Sequence, residues 1–391
     1  MDPIRNPYAP GAGQRPPELA GRDGELDSFE IVLERVARGR PERSMVLTGL
    51  RGVGKTVLLN ALRSAAVRAG WGTGKLEARP DQGLRRPLAA ALHTAIRELG
   101  RPAATDVLGT IKAFVLRAAP AKTALRDRWN PGIDVPATRG RADSGDIEID
   151  LVELFTDIGG LAADTGKGVA IFIDEMQDLG PDDVSALCAA CHEISQSGLP
   201  VLIVGAGLPH LPAVLSASKS YSERLFRYSR IDRLDRDAAD LALTAPAAQE
   251  GAGFDAEALD AMYQATNGYP YFVQAYGKVA WDLAPRSPIA ADDIRMAAPE
   301  AESELAVGFF GSRFERATPA EREYLRAMAD IDVGSEDSVP TSAVASQLGR
   351  TAQSLSPARD ALLKKGLIYS AERGQIAFTV PHFGRYLRSQ S

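Results

Sequence analysis

The residues with the clearest chemical meaning lie in the segment GLRGVGKT, at positions 49–56. This segment fits the spacing G-x-x-x-x-G-K-[ST], and it stands between a predicted strand and a predicted helix. Glycines allow backbone N–H groups to turn towards phosphate oxygens, and the N-terminus of a helix also attracts negative charge. We therefore expect a phosphate-binding loop. Its predicted nucleotide-contacting residues are Gly49, Leu50, Arg51, Gly52, Val53, Gly54, Lys55, Thr56 and Val57.

Two side chains of this loop have specific expected roles. Lys55 should reach the β- and γ-phosphates of ATP, because it is the only obvious fixed cation at that place. The hydroxyl of Thr56 should be a ligand of Mg²⁺. The loop thus predicts ATP and Mg²⁺ as the bound groups.

A second chemical feature is the acid pair that ends the segment VAIFIDE, residues 169–175. Five apolar residues predict a buried strand, and the carboxyl end of a parallel strand lies at the edge where such sheets bind ligands. Asp174 is expected to hold Mg²⁺ through water, and Glu175 to orient and polarise the attacking water. A protein that only held nucleotide would not need Glu175. The pair therefore predicts hydrolysis of ATP.

The segments around these residues predict an α/β fold. Near-continuous apolar strands alternate with helices between residues 44 and 207, which is typical of a parallel sheet covered on both faces. From about Asp235 the strands stop, and residues 236–300 look helical. The expected fold class is a parallel-sheet P-loop NTPase, followed by a helical lid and a C-terminal winged helix domain.

With 391 residues the chain is long enough for two or three domains. We predict an extended Pro/Gly-rich arm over residues 1–17, an ATPase core over 18–235, a helical lid over 236–311 and a winged helix-turn-helix over 312–391. Within the core, residues 119–147 have no apolar period and predict an exposed, mobile insertion. A solvated loop is the favoured interpretation there, although some side chains could touch nucleic acid: Lys122, Arg126, Arg128, Trp129, Arg139 and Arg141.

Composition is that of an ordinary globular protein, with 45% hydrophobic residues and a net charge of −6. The charge gives no general attraction to nucleic acid, so any basic surface must be local. No apolar run approaches the roughly 18–20 residues that cross a bilayer. The N-terminal segment has no apolar core typical of a secretory signal. We expect a cytoplasmic location and no membrane partner.

The two cysteines lie in the segment CAACH, residues 188–192, which fits the attachment pattern of c-type haem. The surrounding apolar residues, however, recur at helical spacing between two predicted buried strands. Free cysteine packs as a small hydrophobic side chain. Core cysteines are therefore the favoured interpretation.

Taken together, the loop, the acid strand and the helical region after the sheet resemble AAA+ or STAND-type P-loop ATPases. The resemblance is greatest to the archaeal-type ATPases, relatives of origin-recognition and transposition-regulator ATPases, and covers roughly residues 18–300. GRDGEL, at positions 21–26, is similar to a family motif near the adenine, which implies Arg22 as a nucleotide-binding residue. ATNGYPYFVQAYG, at positions 265–277, resembles the lid helix that closes over the nucleotide and implies Pro270 there.

The same resemblance implies an arginine that acts on a neighbouring subunit. SYSERLF, at positions 220–226, is similar to the family segment that supplies it, with Arg224 in that place. Arg227, Arg230 and Arg233 follow closely, so the sequence does not decide which arginine reaches a γ-phosphate. A nucleotide-dependent homo-oligomer is the implied assembly.

Two departures from the family pattern concern the rate of ATP hydrolysis. Many members carry a polar sensor of the γ-phosphate after the second strand, where this chain has Gly205, Ala206 and Gly207. Many also carry a lid arginine, where this chain has Tyr269 and Tyr271. Both changes suit a slow switch better than a motor.

Residues 312–391 predict three helices followed by a β-hairpin, an order that resembles a winged helix-turn-helix. In DNA-binding members the third helix enters the major groove. This part is locally basic, so double-stranded DNA is an expected partner. The expected contact residues are Arg350, Gln353, Ser354, Ser356, Arg359, Lys364 and Arg373.

The sequence thus predicts an ATP-binding, slowly hydrolysing ATPase that oligomerises under nucleotide control and binds DNA. Winged helices also dock proteins, so a STAND-like signalling switch with a protein partner stays open as the alternative. A ring that threads its substrate is less favoured, because the chain has no clear aromatic pore-loop motif.

Overall fold

The structure of the protein is a computed structural model. It describes residues 1–11, 13–100, 104–116, 133, 135–331, 338–380 and 382–390. The chain divides into two compact units, which we call the sheet unit and the loop unit. The sheet unit contains Gly24–Thr48 and Leu58–Arg230. The loop unit contains Met1–Asp23, Gly49–Val57 and Ile231–Ser391.

A parallel sheet forms the centre of the sheet unit. Its five described strands are β1 (Ser44–Thr48), β2 (Gly72–Glu77), β3 (Val169–Asp174), β4 (Val201–Gly207) and β5 (Phe226–Arg230). Their order is β2-β3-β4-β1-β5, and every pair is parallel. All residues of β1, β3 and β4 are buried, which explains their near-continuous apolar sequences. The predicted parallel-sheet α/β fold is confirmed.

Helices alternate with these strands along the chain. They are α1 (Asp23–Ala37), α2 (Lys55–Arg68), α3 (Arg85–Leu99), α4 (Ala104–Leu116), α5 (Ile147–Thr165), α6 (Pro181–Gln196), α7 (Leu211–Ser218) and α8 (Ser222–Leu225). Their apolar faces bury side chains such as Phe114, Phe155 and Ile158 in one core with the strands. No helix within the described residues is long and apolar enough to cross a membrane.

The two edge strands are absent from the prediction. The sequence of β2, GTGKLE, contains two glycines, and that of β5, FRYSR, is mostly polar. Edge strands pair on one side only, so their apolar signal is weaker. The glycines of β2 have a packing reason, because a Cβ at Gly72 or Gly74 would collide with the carbonyl oxygens of Ala95 and Ala91 in α3.

Both cysteines lie in the core, as expected. Cys188 and Cys191 belong to α6 and are buried. Burial raises the pKa of Cys188 to about 11, and it also raises the pKa of Cys191. Neither thiol has the lowered pKa that reactive cysteines show.

The predicted mobile insertion, residues 119–147, is only partly described. Its first part, with Lys122, Arg126, Arg128 and Trp129, lies outside the described residues. The part from residue 135 onwards is partly buried, which differs from the exposure that was predicted, whereas its mobility stays a prediction. Ala142 is fully buried, and Asp146 caps α5 by accepting hydrogen bonds from the backbone of its first turn.

One basic residue of this segment already has a partner. Arg141 forms an ion pair with Asp157 of α5. That pair raises the pKa of Arg141 further above its usual value. Arg139 lies in an exposed turn. The sequence of this segment does not indicate the packing, because its apolar residues are irregularly spaced. The contacts are made with α5, the next helix in the chain.

Helices dominate the loop unit. They are α9 (Arg236–Gln249), α10 (Ala256–Thr266), α11 (Pro270–Leu283), α12 (Ala291–Leu305) and α13 (Ser312–Glu315). A π-helical segment, Ala306–Gly311, connects α12 to α13 without a break. The expected boundary between residues 311 and 312 therefore falls inside a continuous helical stretch.

The C-terminal segment, residues 312–391, continues with small elements. Its helices are α14 (Pro319–Ile331), α15 (Thr341–Gln347), α16 (Ala352–Lys364) and α17 (Phe383–Ser389), and its strands are β6 (Val339–Pro340), β7 (Ile368–Ser370) and β8 (Gln375–Phe378). The strands form an antiparallel sheet of order β6-β8-β7. The hairpin of β7 and β8 follows α14, α15 and α16, which is the predicted order of three helices and a hairpin.

The N-terminal arm was expected to be extended, and it contacts the helices of the loop unit. Tyr8 is buried, and its hydroxyl donates a hydrogen bond to the carbonyl oxygen of Leu243 in α9 at 2.6 Å. Its ring meets Trp281 of α11 edge-on. Burial raises the pKa of Tyr8. Residues 3–5 form a short 3-10 helix, so the arm is not uniformly extended.

A buried ion pair in the sheet unit predicts a pH dependence of stability. Asp150 of α5 is fully buried and accepts hydrogen bonds from Arg85 at 2.7 Å and from the Ser144 hydroxyl at 2.6 Å. Burial alone would raise the pKa of Asp150, but the bonds from Ser144 and Arg85 hold it below its usual value. Because the folded pKa is lowered, this contribution to stability is present above about pH 4, the unfolded value, and is lost as pH falls further.

We predict that Asp150→Asn destabilises the protein by roughly 3–5 kcal/mol at neutral pH, since it leaves the Arg85 charge without its partner. The measurement is urea unfolding of the full chain across pH 3–7. The difference in unfolding free energy between Asp150→Asn and the unsubstituted protein should become smaller as the pH is lowered towards 3. Asp164→Asn, an exposed site on the same helix, is the matched control. A constant difference at every pH would contradict the assigned pair.

Candidate nucleotide site

The predicted phosphate loop joins β1 to α2. Gly49 follows the last residue of β1, and Lys55 is the first residue of α2. Gly52 and Gly54 have φ values of +87° and +90°, in the left-handed region that favours glycine. A Cβ at Gly49 would collide with the carbonyl oxygen of Ile231. The glycines of the motif are thus required by the backbone that the chain adopts.

Lys55 is buried against the carbonyl oxygens of its own loop. Its Nζ atom donates to Gly49 at 2.9 Å and to Leu50 at 2.7 Å, and only 9% of the residue is exposed. These bonds hold the ammonium group over the curved backbone. A phosphate oxygen is a stronger acceptor for an ammonium group than a carbonyl oxygen, since charged partners form the stronger hydrogen bonds.

Arg22 supports the loop from outside. Its guanidinium donates to the carbonyl oxygens of Val53 at 3.2 Å and Asp232 at 2.6 Å. The residue is 9% exposed. The resemblance implied Arg22 as a nucleotide contact, whereas these bonds show it acting on the backbone of the loop. The motif GRDGEL indicates Arg22 but not its bond to the Val53 carbonyl oxygen.

The helical part of the loop unit meets the loop at Gly52. Pro270 occupies the first turn of α11, and the backbone N–H of Tyr271 donates to the Gly52 carbonyl oxygen at 3.3 Å. The Tyr271 ring stacks on Phe309 with centroids 4.6 Å apart. Pro270 therefore lies beside the loop, at the N-terminus of the helix that the resemblance identifies with a lid.

The C-terminal segment also contacts the loop, at Arg51. The backbone N–H of Arg51 donates to the carbonyl oxygen of Thr379 at 2.9 Å. A Cβ at Gly366 would lie 2.8 Å from the Arg51 guanidinium, so the hairpin approaches closely there. Thr379 is fully buried, and its hydroxyl donates to Gly366 at 2.7 Å. No motif in the sequence indicated this contact.

The arm reaches the loop as well. A Cβ at Gly13 would lie 3.1 Å from the Cγ2 atom of Thr56. Thr56 is half-buried in the first turn of α2. Residues from the arm, the helices and the C-terminal segment thus surround the phosphate loop within one compact unit.

The acid pair ends β3 in the sheet unit. Asp174 is the last residue of this strand and 6% exposed. One of its carboxylate oxygens accepts a hydrogen bond from the N–H of Glu175 at 3.0 Å. Because β1 and β3 are parallel strands of one sheet, their carboxyl ends lie at the same edge of that sheet.

The donor set fits Mg²⁺. Asp174 offers a carboxylate and Thr56 a hydroxyl, and Mg²⁺ is usually bound by one or two protein oxygens together with phosphates and water. Among the described residues no group of three or more His, Cys, Asp or Glu side chains could hold a metal ion on its own. Ligands of these types suit an ion that is shared with nucleotide phosphates.

Gln177 is a site residue that the sequence analysis misses. Its side chain bonds to Glu175, the expected water-orienting acid, at 2.7 Å. The only available signal is its position two residues after that acid. At the end of β4, Gly205, Ala206 and Gly207 are buried and supply no polar side chain.

The arginines near residue 224 differ in their surroundings. Arg224 lies exposed on α8. Arg227 lies on β5 and donates to the Ser28 hydroxyl at 2.7 Å. Arg230 ends the same strand, and Arg233 is exposed just beyond it.

The expected DNA-contacting residues fall into two groups. Arg350 and Arg359 form ion pairs with Glu323 and Asp360 at 3.1 and 3.0 Å. The hydroxyls of Ser354 and Ser356 donate to backbone carbonyl oxygens within one turn. The remaining expected residues are exposed: Gln353, Lys364 and Arg373.

Comparison with protein families and solved structures agrees with the fold. Residues 18–204 match the family model described as AAA ATPase domain, and residues 307–387 match Domain of unknown function (DUF8462). A Walker-type ATPase of Pyrococcus abyssi is similar to this chain with a TM-score of 0.58 and 17% identity, over 96% of this chain and 97% of the other. No curated protein sequence matches the chain.

Two further structures give lower scores. The Orc1 protein of Aeropyrum pernix, solved in complex with DNA, has a TM-score of 0.47 and 15% identity over 96% of this chain and 94% of the other. The RuvB R170A variant of Thermotoga maritima has a TM-score of 0.47 and 17% identity over 95% and 96% of the two chains. The comparisons establish the fold of a P-loop ATPase.

We predict that Arg22→Ala weakens ATP binding by about 10- to 100-fold, because bonds from a charged donor that order the loop are lost. Calorimetry with ATP and with inorganic triphosphate separates two roles of Arg22. If Arg22 holds the loop, Arg22→Ala lowers the affinities for ATP and for triphosphate equally. If Arg22 contacts the adenine, only the affinity for ATP falls. Arg15→Ala, at an exposed arginine of the arm, is the control.

Proposed function

We propose that this chain is a slow Mg²⁺-dependent ATPase whose nucleotide state controls an oligomer that binds double-stranded DNA through residues 312–391. The observation that carries the ATPase assignment is the left-handed backbone at Gly52 and Gly54, in the loop that follows β1. Such a loop is a phosphate cradle, and in the sheet unit β3 ends at Asp174 and is followed by Glu175, which supplies the acids that hydrolysis requires.

Each residue then has a role in hydrolysis. Lys55 and the loop N–H groups bind the β- and γ-phosphates, and Glu175 orients a water molecule towards the γ-phosphorus. The water oxygen forms a bond to phosphorus, the bond to the bridging oxygen breaks, and ADP leaves with that electron pair. Thr56 and Asp174 would hold Mg²⁺, and the ion would supply positive charge against the negative charge that develops on the phosphates.

The contact between Arg51 and Thr379 supports coupling to the C-terminal segment. The Arg51 N–H belongs to the loop that binds phosphate, and it donates to the C-terminal segment at 2.9 Å. A loop that rearranges around phosphates changes the position of this N–H. The occupancy of the nucleotide site is therefore transmitted to residues 312–391 through a direct backbone contact.

Exposed charge supports the proposal of assembly and DNA binding. Arg224 is exposed and can serve a neighbouring subunit, while Lys364 and Arg373 are exposed in the C-terminal segment. A single module with a few phosphate contacts binds non-specifically at roughly 10⁻⁴–10⁻⁶ M at physiological salt. Several modules held on one duplex gain about 10²–10⁴ in avidity. Nucleotide would control DNA affinity in this way without contacting DNA.

A second candidate is a signalling switch whose C-terminal segment docks a protein. The observation that favours it is the pairing of Arg350 with Glu323 and of Arg359 with Asp360. Charges that are neutralised within the chain contribute less to phosphate binding. The same surface then presents a mixed set of charged and polar groups, which also suits a protein interface.

The ATPase assignment predicts a separation of binding from hydrolysis. Glu175→Gln should keep ATP affinity and lose most of kcat, because the amide cannot polarise the water. Lys55→Ala should instead abolish ATP binding in calorimetry. The conservative control is Glu257→Gln, at an exposed acid of α10. Hydrolysis by Glu175→Gln at the unsubstituted rate would remove Glu175 from this role.

The DNA assignment is tested by duplex binding of the full chain with ATP, with ADP and without nucleotide. Substitution of Lys364 and Arg373 by Glu should weaken binding in every state, and each lost phosphate contact should reduce the salt slope by about 0.9. Arg286→Glu, exposed outside the C-terminal segment, is the control. If the full chain with ATP does not bind duplex at low salt, the protein-docking switch becomes the first candidate.

A further inference from the structure

Gln177 connects the ends of two neighbouring strands. It lies in the short 3-10 helix Met176–Asp178, directly after the acid pair. Its Nε2 atom donates to the Glu175 carboxylate at 2.7 Å, and its Oε1 atom accepts from the backbone N–H of Leu208 at 3.0 Å. Nε2 also lies 3.4 Å from the Asp178 carboxylate. One side chain thus links the acid after β3 to the backbone after β4.

The orientation of this amide follows from its partners. The reverse orientation would place the amide oxygen against the Glu175 carboxylate and the amide NH₂ against the Leu208 N–H. Both contacts would then be repulsive, because a carboxylate only accepts hydrogen bonds and a backbone N–H only donates them. The two bonds therefore support a single position of the Gln177 side chain.

The end of β4 leaves room for this amide. A Cβ at Gly207 would lie 2.6 Å from the Oε1 atom of Gln177, which is closer than real Cβ atoms approach. Ala206 and Gly205 supply no polar group either. The polar atoms at this place on the sheet edge therefore come from Gln177, which reaches across from the neighbouring strand.

Glu175 itself has an unusual backbone. Its φ of +49° lies in the left-handed region that non-glycine residues rarely adopt. The N–H of Asp178 donates to the carbonyl oxygen of Glu175 at 2.9 Å and closes the turn. Such conformations persist when the surrounding structure holds them, and they concentrate at functional sites. The turn directs the Glu175 side chain, and Gln177 holds its carboxylate.

We propose that Gln177 is the positioning residue that holds Glu175 in the orientation used for ATP hydrolysis, and that its amide takes the place of the polar side chain that β4 lacks. This inference rests on the ATPase activity proposed above. Glu175 must lie within hydrogen-bond reach of the attacking water to orient it. Because Gln177 bonds to both Glu175 and Leu208, it holds the Glu175 carboxylate in a fixed position relative to the end of β4.

Two substitutions at Gln177 test the bond to Glu175 in the full chain. Gln177→Ala removes both hydrogen bonds and should lower kcat by about 10- to 100-fold, the effect of one bond to a charged group. The KM and Kd for ATP should stay unchanged, because Gln177 acts on the acid and not on the phosphates. Gln177→Glu keeps an acceptor for Leu208 but repels Glu175, and it should lose kcat to a similar extent.

A substitution at Gly207 tests the position of the amide without altering Gln177. In Gly207→Ala the new Cβ would lie 2.6 Å from the Gln177 Oε1 atom and 2.7 Å from the Leu211 Cδ2 atom, so the Gln177 amide has to move. It should lower kcat as Gln177→Ala does, and the double variant should be no slower than either single variant. Gly160→Ala in α5, where a Cβ meets open space, is the matched control.

The outcomes separate this inference from the ATPase proposal. No hydrolysis by the unsubstituted protein overturns both. Hydrolysis by the unsubstituted protein with the same kcat in Gln177→Ala overturns the role of Gln177 alone. A loss of ATP affinity and melting temperature in parallel with kcat shows a merely structural residue, and also overturns it. A loss confined to kcat, reproduced by Gly207→Ala but not by Gly160→Ala, supports the positioning role.

Discussion

The backbone of the phosphate loop is the constraint on which the rest of the site depends. Its left-handed glycines form a curve whose carbonyl oxygens accept bonds from Lys55 and Arg22. Burying such a loop requires partners for its polar groups, because an unpaired buried group costs about 1–3 kcal/mol. Tyr271 and Thr379 supply partners from two further segments of the chain. The loop is therefore also the place where several parts of the chain can respond to nucleotide.

The acid pair depends on a different kind of support. β3 is buried along its whole length between β2 and β4, so the position of its last residue is set by a close-packed core. Glu175 leaves this strand with a left-handed backbone and meets the amide of Gln177. A rigid strand end followed by a held turn suits the water-orienting role that we propose for Glu175, because small displacements reduce catalysis strongly.

The C-terminal segment has a role in both candidate functions. Its hairpin contacts the loop at Arg51, so it is in a position to follow the nucleotide state. Whether its partner is DNA or protein depends on charges that are partly neutralised within the chain, as in the pair of Arg350 and Glu323. The exposed Lys364 and Arg373 favour a polyanion, and the paired arginines favour a protein.

The sequence by itself determined the glycine loop, the acid strand, the core cysteines and the helical region, because these depend on spacing within short segments. Only the tertiary structure decided the edge strands β2 and β5, the packing of residues 135–147, and the partners of Arg22 and Arg51. It also placed Gln177 between Glu175 and Leu208. These features depend on contacts with atoms distant in the chain or on the path of the backbone. Local hydrophobic pattern and motif spacing carry no information about either.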